Sequence, residues 1–137
     1  MIKKIYSKVQ KGKLLHMVFD INKADEGRYE VIDEKEFIQL AALRYEKGKT
    51  FPPHKHIYKK SPEKCIAQES WVIIKGKVKV FFYDLDGTLI SEEILNQGVC
   101  SITLYGGHTY EILEENTLVL EYKTGPYQGH ALDKEFI

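Results

Sequence analysis

The sequence predicts an all-β protein that folds as a single domain, either a sandwich or a closed barrel. Most of the chain after residue 35 consists of short segments rich in β-branched and aromatic residues. Glycine, asparagine and aspartate separate these segments at near-regular intervals, which is typical of antiparallel β folds. The 137 residues contain no repeat, linker or low-complexity segment, and a chain of this length normally forms one domain.

Eight strands are predicted from these segments. Val78 and Val80 alternate with lysines, which indicates a strand with one face in the core and the other in water. Asp86 and Gly87 separate two such strands, and Asp-Gly is a strong hairpin signal because glycine adopts positive φ without strain. The predicted strands cover residues 36–45, 50–57, 69–75, 77–84, 88–95, 99–104, 108–114 and 117–123.

The first 35 residues are predicted to form an N-terminal extension to a barrel that spans residues 36–137. VIDEKEF at 31–37 is highly charged and favours a loop or a short helical turn. KLLHMVFDI at 13–21 has the apolar content of an extra strand, added to an edge of its own sheet or to that of a partner chain. We therefore expect a homodimer.

Charge and composition favour a small-molecule partner. Lys plus Arg count 20 and Asp plus Glu count 20, so the chain lacks the net positive charge typical of nucleic-acid binding, and we expect no nucleic-acid partner. The apolar runs are too short to span a membrane, and no membrane association is expected. Cys65 and Cys100 lie far apart, and the N-terminus has no apolar stretch typical of a signal peptide. A cytoplasmic location follows as an expectation.

Three histidines and one glutamate form a candidate metal site. His54 and His56 are two residues apart on a predicted strand, so both imidazoles face the same side. Glu69 begins a later strand, and His108 opens another after two glycines. Three neutral nitrogens and one carboxylate oxygen suit Zn²⁺, Fe²⁺, Ni²⁺ or Mn²⁺, with coordination positions left for water or substrate.

Two alternatives to this site remain open from the residues alone. A lone His-x-His pair is common on exposed strands and needs no metal. Gln68 precedes Glu69 and would take its place if the strand register slipped by one residue, although a carboxylate is the better donor to a divalent ion.

These residues resemble the first motif of the cupin superfamily. That motif reads glycine, five residues, His-x-His, a short gap, glutamate, six residues, glycine. Its positions correspond here to Gly48, His54, His56, Glu69 and Gly76, with a gap of twelve residues between His56 and Glu69. The resemblance implies a double-stranded β-helix, or jelly-roll barrel, with a divalent transition metal held by the histidines and the glutamate.

The second cupin motif is only partly present. Leu104 stands in place of its proline, one residue rather than two separates Gly106 from His108, and Ile112 replaces its asparagine. His108 is the only histidine available there, so it completes the implied ligand set. It faces inward only if the paired glycines absorb the missing residue.

A narrower resemblance, to the WbuC family of cupin metalloproteins, runs from about residue 37 to the C-terminus. It is carried by LAALRYEKGKTFPPHKH, by WVIIKGKVKVFFYDLDGTLI and above all by LEYKTGPYQGHALDKEF. Members of this family are encoded among genes for bacterial surface polysaccharide. The resemblance implies a role in the biosynthesis of lipopolysaccharide or O-antigen, but it does not supply a reaction.

Two aromatic residues are candidates for substrate contact. Trp71 shares a strand face with Glu69 and is expected to point into the barrel, where it can either fill the core or stack on a sugar ring. Tyr58 lies beside Lys59 and Lys60 in the long gap of the first motif. Cationic groups there can meet a phosphate or a sugar acid, although a solvated loop is the interpretation we favour.

Tyr110 and Glu121 are candidate catalytic residues. Tyr110 shares a face with His108, and its phenol can act as acid or base only if a metal or cation lowers its pKa; a hydrogen-bonding role in the wall is favoured. An inward-facing Glu121 is a candidate general base, because burial raises a carboxyl pKa. The alternation along its strand leaves both directions open, and we favour the outward one.

Three functions are consistent with this sequence. The first is a metalloenzyme acting on a small carbohydrate, such as a sugar or nucleotide sugar, with the metal polarising a carbonyl or hydroxyl. The second is an iron-dependent dioxygenase. The third is a non-catalytic barrel that binds a sugar or regulates a polysaccharide enzyme, with a metal that is only structural.

Overall fold

The protein is built from two five-stranded antiparallel sheets and a separate two-stranded hairpin, as described by a computed structural model of residues 2–59, 65–127 and 129–137. A 3₁₀ helix at Ile21–Lys23 and a short helix α1 at His130–Asp133 complete it. The strands are β1 (Ile2–Tyr6), β2 (Leu14–Phe19), β3 (Gly27–Glu30), β4 (Ile38–Tyr45), β5 (His54–His56), β6 (Glu69–Lys75), β7 (Lys77–Tyr83), β8 (Leu89–Asn96), β9 (Cys100–Thr103), β10 (Gly107–Ile112), β11 (Thr117–Thr124) and β12 (Lys134–Phe136).

The two five-stranded sheets enclose one apolar core. The first sheet has the order β12-β5-β10-β7-β8 and the second β3-β4-β11-β6-β9. Consecutive strands β6 and β7 lie in different sheets, so the chain crosses from one sheet to the other there. The buried side chains that meet between them are Ala41, Leu43, Trp71, Ile73, Val78, Val80, Leu95, Tyr110, Ile112 and Val119. This arrangement confirms the predicted all-β jelly roll.

All eight predicted strands are present. Val78 and Val80 are fully buried while the alternating Lys77 and Lys79 are half-buried, as the alternation predicts. The strand predicted at 50–57 is shorter than expected. Pro52 and Pro53 have no backbone N–H to donate to a sheet, so β5 begins at His54.

Glycines with positive φ connect the strands that surround the site. Gly76 turns β6 into β7 with φ of +90°, and a side chain there would clash with Thr117. Gly106 has φ of +84° and lies against the carbonyl of Tyr83, where a Cβ atom would also clash. These two glycines permit turns that other residues would strain. The turn at Gly106 absorbs the shortened second motif.

The N-terminal 35 residues contain more strand than expected. β1 and β2 pair with each other to form the separate hairpin, so the predicted strand at 13–21 is present as β2. The structure adds β3, which was not predicted and pairs with β4 in the second sheet. The charged segment 31–37 is a loop.

The C-terminal segment also forms a strand that was not predicted. β12 pairs with β5, so that Lys134 is opposite His56 and Phe136 is opposite His54. This pairing brings the end of the chain to the candidate metal site. In the described residues, no helix has the length and apolar character needed to cross a membrane.

Candidate metal centre

His54, His56, Glu69 and His108 converge at one point between the sheets. One potential ligand atom from each lies within 4.8 Å of those from the others. His56 Nε2 is 3.0 Å from Glu69 Oε2, and His108 Nε2 is 3.2 Å from His54 Nε2. His108 Nε2 also lies 3.6 Å from Glu69 Oε1. The sequence-predicted set is therefore brought together in full.

Three strands from the two sheets position these side chains. The i, i+2 spacing on β5 directs both of its imidazoles inward, and His108 on the neighbouring β10 is the direct cross-strand partner of His54. Glu69 enters from β6 in the opposite sheet and is 6% exposed. Gln68 is half-buried, and its backbone N–H donates to Thr124. Of the two alternatives, Gln68 and Glu69, the structure places Glu69 in the cluster.

Each histidine is held by a hydrogen bond at the ring nitrogen that points away from the cluster. Nδ1 of His54 lies 3.0 Å from the Pro52 carbonyl oxygen, and Nδ1 of His56 lies 3.1 Å from Asp133 Oδ2. Because these oxygens only accept, Nδ1 carries a proton in both rings, and Nε2 is the nitrogen that faces the cluster and would bind a metal. Such outer hydrogen bonds orient metal-binding histidines in proteins.

His108 is anchored in the same way. Its Nδ1 lies 2.8 Å from Thr103 Oγ1 on β9, and the imidazole is completely buried. It therefore faces inward despite the shortened second motif.

The electrostatics of the cluster favour positive charge between its carboxylates. Burial lowers the pKa of His54 to about 4, and the charge of His108 adds to this effect. Burial also disfavours charged His56, but its hydrogen bonds to Asp133 and Glu69 outweigh this and raise its pKa to about 9. Burial likewise works against ionised Glu69, yet the charges of His108 and His56 hold the Glu69 pKa below its usual value. The protonated imidazole of His56 thus supplies positive charge between the buried carboxylates of Asp133 and Glu69. A divalent ion bound at the cluster can supply this positive charge instead.

The cluster opens into a cavity of about 770 Å³. This volume falls within the range of small-molecule sites. His54 and Glu69 lie in its wall, together with aromatic and charged side chains from both sheets. The other aromatic residues of the wall are Tyr45, Phe51, Trp71, Tyr110 and Tyr127, and the cationic ones are Arg28, Lys35, Lys123 and Lys134.

Glu121 faces inward, so the outward direction that the sequence favoured is wrong. Its carboxylate is 5% exposed and lines the cavity. Oε2 accepts a hydrogen bond of 2.9 Å from the Trp71 indole and one of 3.1 Å from Arg28, which also binds Oε1. Register explains the error, since Glu121 is directly opposite Trp71 on β6. With both oxygens occupied, Glu121 is suited to positioning its partners rather than to removing a proton.

Tyr110 lies in the cavity wall with its phenol in a hydrogen-bond chain. The hydroxyl is 3.0 Å from Ser101 Oγ and 3.4 Å from Nδ1 of His108. Burial raises its pKa well above the usual value, so the phenol stays protonated and acts as a donor. This agrees with the hydrogen-bonding role favoured for it.

Trp71 is 3% exposed and lines the cavity as its alternation with Glu69 predicts. The rings of Trp71 and Tyr110 stack with centroids 3.8 Å apart, and the edge of Phe51 packs against the indole. One face of the indole is therefore occupied by protein, which leaves less room for a sugar ring.

Tyr58 is 59% exposed and is not among the described residues that line the cavity. The structure therefore does not bring this predicted substrate contact to the site. Its neighbour Lys59 is buried, and Nζ donates to the Pro126 carbonyl at 2.6 Å, so the solvated loop favoured there is wrong for Lys59. Lys60 and residues 61–64 of the same segment lie outside the described residues.

Sequence reasoning missed several residues that complete the site. Asp133 supports His56, and Thr103 supports His108, yet neither stands in a cupin motif. Arg28 reaches the cavity from the part of the chain that was predicted to be an extension. Lys123 also lines the cavity. The sequence could have indicated this, because Lys123 shares a strand face with Glu121.

Comparison with known proteins identifies the fold. No family model matches the sequence, and no curated protein matches it. Solved structures do match. CapF with an inhibitor superposes with a TM-score of 0.66 at 18% identity over 96% of this chain and 36% of CapF. A variant of oxalate decarboxylase from B. subtilis gives a TM-score of 0.64 at 17% identity over 96% of this chain and 35% of the enzyme. The chain has the cupin fold.

A third structural neighbour is similar to this protein in size. It is an uncharacterised protein from Klebsiella pneumoniae with a double-stranded β-helix domain, with a TM-score of 0.59 at 12% identity. The match covers 82% of this chain and 92% of that protein. In contrast, this chain spans about a third of CapF and of oxalate decarboxylase. At such identities the likeness establishes the fold and not the activity.

Proposed function

We propose that this cupin binds one divalent transition metal ion through His54, His56, Glu69 and His108. The observation that carries the proposal is the convergence of three oriented imidazoles and one buried carboxylate within 4.8 Å. Zinc, iron, nickel and manganese ions all accept this donor set. When bound, such an ion supplies Lewis acidity, polarising a carbonyl or hydroxyl oxygen of a substrate.

We further propose that the substrate is a small carbohydrate or a related metabolite. The cavity wall combines aromatic rings with carboxylates, lysines and an arginine, and polar groups next to aromatic rings suit a hydroxylated ring. The resemblance of the C-terminal half to the WbuC family supports a place in bacterial surface-polysaccharide biosynthesis, in the cytoplasm. The residues of the chain would bind and orient the substrate, with Tyr110 donating a hydrogen bond from the wall.

The test of this proposal is metal analysis followed by a substrate screen. We expect purified protein to carry about one transition metal ion per chain, which a chelator removes. The metal-loaded protein is then incubated with sugars and nucleotide sugars, and products are followed by mass spectrometry. A protein that holds less than a tenth of an ion per chain after incubation with each of the four metals would refute the proposal.

The same screen separates the rival functions. Consumption of oxygen by anaerobically iron-loaded protein in the presence of substrate would identify a dioxygenase. Sugar binding that survives chelation, without turnover, would identify a non-catalytic barrel whose metal is structural.

We also propose that the cupin forms a homodimer through the β1–β2 hairpin. Two-stranded hairpins are marginally stable by themselves, and this one leaves Leu14, Leu15 and Val18 exposed. Its outer edges offer unpaired backbone groups to another strand. We expect light scattering at micromolar concentration to give twice the chain mass of 15.9 kDa. Deletion of residues 2–19 should give the monomer, and a wild-type monomer would contradict the proposal.

A further inference from the structure

Two lysines flank the candidate metal centre, one from each sheet. Lys123 on β11 is directly opposite Glu69 on β6, and Lys134 on β12 is directly opposite His56 on β5. Both side chains are half-buried and both line the cavity. Each sheet therefore places one lysine next to a residue of the cluster and in the wall of the same cavity.

The electrostatics of the cluster show that these lysines are close enough to act on it. Burial is the largest cause of the lowered pKa of His54, and the charge of Lys134 lowers it further. Burial alone would raise the pKa of Glu69, and the charge of Lys123 is among those that hold it down. An anion placed next to the cluster would therefore interact with both lysines.

Neither lysine has an ion-pair partner among the residues that the structure describes. Lys123 Nζ instead lies over the Tyr127 ring, 4.4 Å from its centroid. Arg28 differs, because its guanidinium is already bound by two carboxylates. A half-buried ammonium beside a cavity gains most from an anion that arrives with the ligand.

Most carboxylates of the cavity wall have hydrogen-bond partners other than these two lysines. Four of the five are already engaged by other described groups, namely Glu30, Asp33, Glu69 and Glu121. Within the described wall, cations without a partner therefore outnumber carboxylates without one. A negatively charged ligand would supply these cations with a partner, and a neutral ligand would not.

We infer that the cavity takes an acidic sugar, whose carboxylate or phosphate group is held between Lys123 and Lys134 beside the metal. This inference rests on the proposed function and narrows its substrate class from carbohydrates in general to those with a fixed negative charge. Lys123 and Lys134 are then specificity-determining residues, which discriminate between charged and neutral sugars of the same size.

The test compares the binding of charged and neutral ligands by calorimetry. Zinc-loaded protein is titrated with glucuronate, glucose 1-phosphate, inorganic phosphate and glucose. We expect at least one acidic sugar to bind about tenfold or more tightly than glucose, the effect of charge-assisted hydrogen bonds. The carboxylate and phosphate arms show which acid the site prefers. Equal affinity for glucose and both acidic sugars, or binding of none of them, would overturn the inference.

Variants show whether the two lysines are responsible. K123M and K134M retain the length of the side chain but remove its charge, and each should weaken binding of the preferred acid by about tenfold. K79M is the matched control, because Lys79 pairs with Glu92 2.6 Å away on the neighbouring strand β8. Should either methionine variant fail to fold by circular dichroism, the glutamine variant replaces it. Unchanged affinity in both folded variants would overturn the inference.

Metal content separates this inference from the proposed function. Full metal content without lysine-dependent anion binding would support the proposed metal site and refute the inference of an acidic substrate. If the protein instead binds no metal, but binds phosphate in a way that K123M and K134M abolish, the metal site is refuted and the anion site is supported.

Discussion

The double variant H54A/H56A is expected to lose its bound metal completely. The two imidazoles supply half of the four donors in the cluster, and the remaining Glu69 and His108 cannot hold a transition metal in competition with water and buffer. We expect the metal content to fall from about one ion per chain to less than a tenth, measured by mass spectrometry after gel filtration in metal-free buffer.

The control for this variant is H16A/H130A, which removes two exposed histidines outside the cluster. It should keep the full metal content. Because His56 is buried between Asp133 and Glu69, the fold of H54A/H56A is checked by circular dichroism. If it is unfolded, the single variant H54A replaces it, with an expected loss of at least tenfold in metal affinity. A folded variant with wild-type metal content would disprove the assigned ligand set.

The second large effect is expected from Asp133, a residue outside the proposed ligand set. Its Oδ2 accepts the hydrogen bond from Nδ1 of His56, and the side chain is 1% exposed. Loss of such a supporting carboxylate usually weakens metal binding by about 10- to 100-fold. We therefore expect D133A to bind zinc in this range below wild type, at unchanged stoichiometry, as measured by competition with a chromogenic chelator.

The variant D133N shows whether Asp133 acts by orienting His56 through a hydrogen bond or only by filling space. Asparagine keeps the shape of the side chain and an accepting oxygen but loses the charge, so it should recover part of the affinity. E135A is the matched control, because Glu135 lies two residues away and its exposed side chain pairs with Lys55. Zinc affinities of D133A and wild type that agree within twofold would show that Asp133 has no role in the site.

The part of the site that the sequence predicted depends on local geometry. On any strand, residues two apart face the same side, so His54 and His56 had to point together wherever β5 lay. Glu69 and Trp71 follow the same rule on β6. Glycines in the turns marked the ends of the strands, so these strands could be predicted from the sequence, and every one of them is present in the structure.

The part that was missed depends on contacts between distant segments. Asp133 meets His56 across 77 residues, and Arg28 meets Glu121 across 93. Strand alternation shows which residues share a face but not which face looks inward, and this is why the direction of Glu121 was wrong. β3 and β12 are short strands of four and three residues, stabilised mainly by pairing with β4 and β5. Their own side chains carry too little pattern to predict them.

The most direct test of the metal site is a crystal structure of metal-loaded protein, with anomalous diffraction measured at the absorption edge of the metal. We predict a single strong anomalous peak inside the barrel, at about 2.0 to 2.2 Å from Nε2 of His54, His56 and His108 and from a carboxylate oxygen of Glu69. A peak elsewhere, or none at this cluster in a crystal grown with excess metal, would contradict the proposed centre.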